Sequence, residues 1–192
     1  MAGVSPRPGH QPPHPTHPIY PYLLRGVAAA HPHHVWGIDI TYLRLRGSWR
    51  YLVAVLDWFS RYVVRWELSE SLALPFVLTA ARQALAQATP VVGNQDPGSH
   101  FTSPEYLGLL ETAGVRIRMD GRGRALDNVF TERFWRSLKY EEGYLNAYRS
   151  PREARQGVAR SITFYNTGRP HPALGYQTPA TVWAGGRPDA AH

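Results

Sequence analysis

At 192 residues and 43% hydrophobic content, the chain has room for one domain with a real core plus appendages. It contains no Cys, which excludes disulfides and thiolate metal sites, and no run of about 18 apolar residues, which excludes a membrane-spanning helix. A net charge of +7 favours a polyanionic partner, although basicity alone does not identify one.

Residues 1–34 carry eight of the 17 prolines and six of the nine histidines. Such a stretch cannot bury enough apolar surface to order itself, so residues 1–30 are predicted to be a disordered Pro/His-rich tail and linker. His10, His14 and His17 have a spacing that suits zinc on a helix, but the interleaved prolines forbid the helix and no Cys completes a site. The same stretch lacks the apolar middle of a secretory signal, and with the absence of Cys this predicts a cytoplasmic protein.

Order is predicted to begin near Val35, with a core over 31–170 and a C-terminal extension over 171–192. "VWGIDITYL" alternates Trp36, Ile38, Ile40 and Tyr42 with Gly37, Asp39 and Thr41, the period of a strand. "RYLVAVLDW" and "RYVVRWEL" follow after short breaks, so the three read as an antiparallel meander. Residues 73–88 read as a helix with Pro75 in its first turn, and "PVVGNQD" as a short strand ending at Asp96. Ser103 and Pro104 open another helix that Gly114 closes, and "VRIRMD" is a fifth strand. After the basic loop "GRGRA" a helix is predicted from about Asp127 to Glu142, and a capping box from Ser150 to Glu153 starts the last one. The order implies an α/β fold: a mixed five-stranded sheet, three strands as a meander plus two more, with helices on both faces.

Three acids occupy special places. Asp39 lies mid-strand on the small-residue side, where an unpaired carboxylate is costly to bury. Asp96 ends the fourth strand, at the edge where α/β proteins place their ligands. Glu132 lies one to two turns into the helix after the Gly/Arg loop, and 132 − 96 − 1 leaves 35 residues between it and Asp96. Phosphodiester chemistry uses such acids. Two divalent cations about 3.5–4 Å apart activate the attacking oxygen and stabilise the leaving one. Mg²⁺ takes oxygen ligands, so a few carboxylates suffice. Along the same helix Asn128, Glu132, Arg136 and Lys139 share a face, while Phe130, Phe134 and Leu138 form a separate apolar stripe. Bases following the acid suit phosphate contact; ordinary surface ion pairs are the plainer alternative.

"VWGIDITYL", "YLVAVLDWFSRYVV", "NQDPGSHFTS", "DNVFTERFWRSLKYEE" and "FYNTGRPHPALGYQTP", in that order, resemble the integrase core of insertion-sequence transposases of the OrfB type. That group is similar to retroviral integrases and shares their ribonuclease-H-like fold. The resemblance covers about Ile19 to Trp183. It implies a DDE triad on Asp39, Asp96 and Glu132 holding two Mg²⁺ (or Mn²⁺) ions, DNA 3′-end cleavage, and strand transfer into target DNA in a copy-out, paste-in cycle. It also implies that Lys139 holds DNA near the scissile phosphate, with Asp127 and Asn128 the "DN" before the glutamate. Implied partners are DNA, further copies of the chain assembled on it, and a helix-turn-helix protein encoded upstream. The chain departs from the family at Pro97 and His100, both commonly Gln. It also starts within the linker after the family's end-recognition helix-turn-helix, so a truncated copy is expected; the alternative is a catalytically weak remnant that binds DNA non-specifically or interferes with full-length copies.

Asp57 suits a turn carboxylate more than a supporting role at the triad. Arg122 and Arg124 are either phosphate contacts or part of a solvated loop. The cluster Tyr165, Asn166, Arg169 and His171 reads as packing with DNA contact rather than catalysis. Trp36, Trp49, Trp58, Trp66 and Trp135 read as core or sheet-surface residues. A carboxylate-pair glycosidase is compatible with the aromatic content but explains neither the charge nor the bases beside Glu132.

Overall fold

The computed structural model describes residues 29–119, 129–143 and 148–185. Strands β1 (Val35–Leu45), β2 (Ser48–Asp57) and β3 (Val63–Ser69) form the expected antiparallel meander. Gly47 turns the chain between β1 and β2 at φ +74, a conformation that is cheap only for glycine. The second turn is organised by Asp57. Its fully buried carboxylate accepts hydrogen bonds from the backbone N of His33 and from both the N and Oγ of Ser60, each at 2.7 Å. Three donors offset the desolvation of a buried charge, so Asp57 is the turn carboxylate that its sequence position implies.

Helix α1 (Leu74–Leu85) carries Pro75 in its first turn and leads to β4 (Val92–Gln95). Helix α2 (Pro104–Thr112) is N-capped by Ser103, whose Oγ accepts from Tyr106 N, and Gly114 closes it at φ +74 before β5 (Arg116–Met119). The sheet order is β3-β2-β1-β4-β5, with β4 parallel to β1 and β5 parallel to β4. Both α1 and α2 cover one face, where Val77, Ala81, Tyr106 and Leu110 pack against Trp36, Ile38, Val53 and Val55.

Helices α3 (Val129–Leu138) and α4 (Pro151–Thr167) cover the other face, burying Phe134, Leu138, Val158 and Ile162 against Val35, Leu52, Ala54 and Leu56. The alternating pattern of β1 therefore serves two cores, one on each side. Expected to run to Glu142, α3 instead gives way after Leu138 to a π-helical turn, Lys139–Gly143. This wider turn carries Lys139 to the ring of Tyr42 and Glu141 to Arg169, both off the helix's own surface. Asp127 and Asn128 lie outside the described residues, as do Arg122 and Arg124.

At the start of α4, Ser150 Oγ accepts from Glu153 N, but the Glu153 carboxylate returns to the N of Arg149 rather than of Ser150. Near its end, buried Asn166 donates to Val63 O and accepts from Val63 N, acting as a strand partner for the edge strand β3. Residues beyond 170 pack into the same body. Leu174 and Val182 are buried, and Trp183, in α5 (Pro179–Trp183), stacks on Tyr62 and meets Trp36.

Candidate active site

The parallel ladder between β1 and β4 pairs Val35 with Val92, Trp36 with Gly93 and Gly37 with Asn94. Asp39 and Asp96 each follow two residues after the last of these pairs. Neighbouring strands lie about 4.8 Å apart and side chains alternate with period two. Asp39 therefore shares the side of β1 that Val35 and Gly37 present to α3, while β4 ends at Gln95, one residue before Asp96. Each acid is half-buried.

Helix α3 docks directly on the first of them. Trp135 Nε1 donates to Asp39 Oδ2 at 2.9 Å, while the backbone N of Ile40 donates to Oδ1 at 2.8 Å. The carboxylate is thereby fixed in orientation. Trp135 is three residues after Glu132, so the bond also sets the height of Glu132 above the sheet. Glu132 itself is exposed. Asp96 folds into a local turn in which its Oδ1 accepts from Gly98 N at 2.9 Å.

Close approach of α3 to β1 depends on Gly37. A Cβ there would collide with the indole Nε1 of Trp58 and stand 2.9 Å from Oγ1 of Thr131, the residue before Glu132. The basic residues on the Glu132 face continue along the helix and its π turn. Arg136 is exposed, and Lys139 is half-buried with its Nζ 4.8 Å from the ring centroid of Tyr42, three residues after Asp39. Among the described residues, neither base forms an ion pair with Glu132.

Carboxylate oxygens are the donor type that Mg²⁺ or Mn²⁺ takes, and the chain offers no thiolate alternative. Among the described residues, no three His, Asp or Glu side chains already stand close enough together to hold a metal ion. The sequence marks Trp135 as a core or sheet-surface residue, and the structure adds a polar contact to that burial. Its position three residues from Glu132 and its single N–H donor were the available signals for a polar role.

Residues 29–125 match a family described as the integrase core domain, and residues 113–179 match a second family of the same description. The transposase for insertion sequence element IS904 of Lactococcus lactis is 33% identical over 155 residues, covering 79% of this chain and 61% of that protein. A 31 kDa protein of insertion element IS600 from Shigella sonnei is 32% identical over 170 residues, covering 85% of this chain and 62% of its own length. The chain thus spans about three fifths of these relatives. Among solved structures, the HTLV-2 integrase catalytic core domain in complex with magnesium superimposes with a TM-score of 0.67 at 17% identity, over 80% of this chain and 98% of that one. The BIV integrase catalytic core gives 0.66 at 17%, over 80% and 95%. These likenesses carry the fold.

Proposed function

The chain belongs to the integrase-core family of insertion-sequence transposases, and from that premise we propose that it is a metal-dependent polynucleotidyl transferase that cleaves DNA at transposon ends and joins them to target DNA. What supports this reading is that Asp39 lies within β1 under the helix that bears Glu132, while Asp96 follows the end of the neighbouring strand β4. Asp39, Asp96 and Glu132 would together hold two Mg²⁺ or Mn²⁺ ions. When bound, the ions supply charge stabilisation at the attacking and leaving oxygens of the displacement.

The remaining work belongs to the chain. Asp39 is held by Trp135 in the orientation it presents to a ligand. Glu132 stands exposed on α3, on the side open to a substrate, with Arg136 and Lys139 behind it as phosphate contacts. Asn128, Arg122 and Arg124 would extend that contact towards the loop before the helix. Copies of the chain assembled on DNA ends, with a helix-turn-helix protein to recognise them, would complete the reaction's requirements.

The test is nicking and strand transfer on labelled transposon-end DNA with Mg²⁺ or Mn²⁺, comparing the natural chain with Glu132→Gln. Several kcal/mol of charge stabilisation at about 1.4 kcal/mol per decade sets the expected loss at about 10³-fold or more. Salt-sensitive DNA binding without cleavage, unchanged by the substitution, would instead make the chain a DNA-binding protein without catalysis.

A further inference from the structure

The "YNTGRPH" motif is only half explained by the grip of Asn166 on β3. Its other half, with α3 and the β2–β3 turn, encloses a cavity of about 360 Å³. Arg61, Arg133, Arg169, His171, Tyr165 and Ser137 all line it. These come from three separate parts of the chain, and the basic groups among them are near enough to repel one another. Burial brings Arg61 down to about 10, with Arg133 adding to the effect. Burial, then Arg169 and Arg61, keeps His171 below the ordinary histidine range. His171 Nε2 is buried with no hydrogen-bond partner.

Some of this charge is already answered. Arg169 pairs with Glu141, and Arg61 donates to the carbonyl of Trp58 while its guanidinium lies 3.3 Å from the ring centroid of Phe130. Arg133 stands exposed and, among the described residues, forms no ion pair. With Glu141 counted, the cavity retains an excess of positive charge beside an unpartnered imidazole nitrogen. A guanidinium cluster of this kind matches a phosphate, whose oxygens accept paired N–H donors.

We propose that this cavity holds a backbone phosphate of a DNA strand, at a site separate from the three carboxylates. The assignment rests on reading the chain as acting on DNA. Arg133 and Ser137 each follow one residue after Glu132 and Arg136, so they face about 100° around α3 from them. The two faces together make one basic track around the helix. A strand anchored in the cavity lies beside the carboxylates rather than on them. Apolar walls of Phe130, Pro170 and Pro172 suit the sugar that flanks the phosphate.

The experiment uses a fluorescein-labelled duplex of arbitrary sequence, with anisotropy followed across NaCl concentrations for the natural chain, Arg133→Ala and Arg133→Lys. Arg133→Ala is expected to weaken binding about tenfold at ~0.1 M salt and to make the log–log salt slope shallower by about 1. Arg133→Lys restores most of both. In parallel, millimolar inorganic phosphate should shift the His171 ring-proton resonance of the natural chain and not that of Arg133→Ala. An unchanged slope and affinity in Arg133→Ala overturns the proposal. If phosphate still moves His171 in that case, the cavity takes a free anion and not DNA. Cleavage that depends on Glu132 alongside an unaltered slope would sink this site and spare the catalytic reading. A shallower slope in a chain that never cleaves would do the reverse.

Discussion

Two of the groups that hold Asp39 act on different oxygens. Ile40 N holds Oδ1 and Trp135 Nε1 holds Oδ2, so neither oxygen is free to swing. Groups that orient a metal ligand through its other hydrogen bonds are commonly worth 10–100-fold in metal affinity. Trp135→Phe keeps the ring in the core and deletes the donor. The expected outcome is a metal concentration for half-maximal cleavage raised by about 10–100-fold, with the rate at saturating metal largely recovered. A metal titration in which the two proteins coincide would deny Trp135 this positioning role. The sequence made Asp39 legible as a costly mid-strand acid but was silent on its partner, because a tryptophan on a buried helix face packs equally well without any polar duty.

At the scale of the elements, the docking of α3 on β1 is set by a missing side chain. Gly37 precedes Asp39 by two residues, and a methyl group there meets the rigid indole of Trp58 and the hydroxyl of Thr131. Overpacking of this kind costs about 1–3 kcal/mol. Gly37→Ala is therefore expected to lower Tm, at about 2–4 °C per kcal/mol for a chain of this size. Because Thr131 adjoins Glu132, cleavage should fall further than the folded fraction does; activity that tracks folding alone would contradict this. The meander and both crossover helices were readable from period, Pro75, Ser103, Pro104 and Gly114, since those signals are local. The end of α3 was not. Its π turn answers to Tyr42 and Arg169, residues remote in sequence that periodicity does not see.

For the molecule as a whole, one half-buried imidazole ties stability to acid. His171, in the α3/α4 layer, has its folded value lowered by burial and then by Arg169 and Arg61, while Glu141 opposes them. An unfolded chain takes up that proton first, so the stabilisation is fully present above about 6.5 and is lost as pH falls through the folded value. A comparison of Tm at pH 7.5 and pH 5 should show a smaller acid loss in His171→Gln than in the natural chain. Equal losses would mean that the cationic surroundings of His171 do not reach it in solution. The convergence of Arg61 with Arg169 and His171 was beyond the sequence for the same reason as the β1/β4 pairing: over a hundred and over fifty residues separate the partners, and only the closed sheet unites them.

The sheet itself is unevenly braced. Its antiparallel half is laced from Trp36↔Asp57 to Leu45↔Ser48, whereas the parallel seam joining β4 to β1 closes after Gly37↔Asn94. Asp39 thus belongs to a stiff leaf and Asp96 hangs from the free margin of a shorter one. Holding Asp39 therefore falls to the ladder on either side of it, and holding Asp96 to the bond its own carboxylate accepts from Gly98 N.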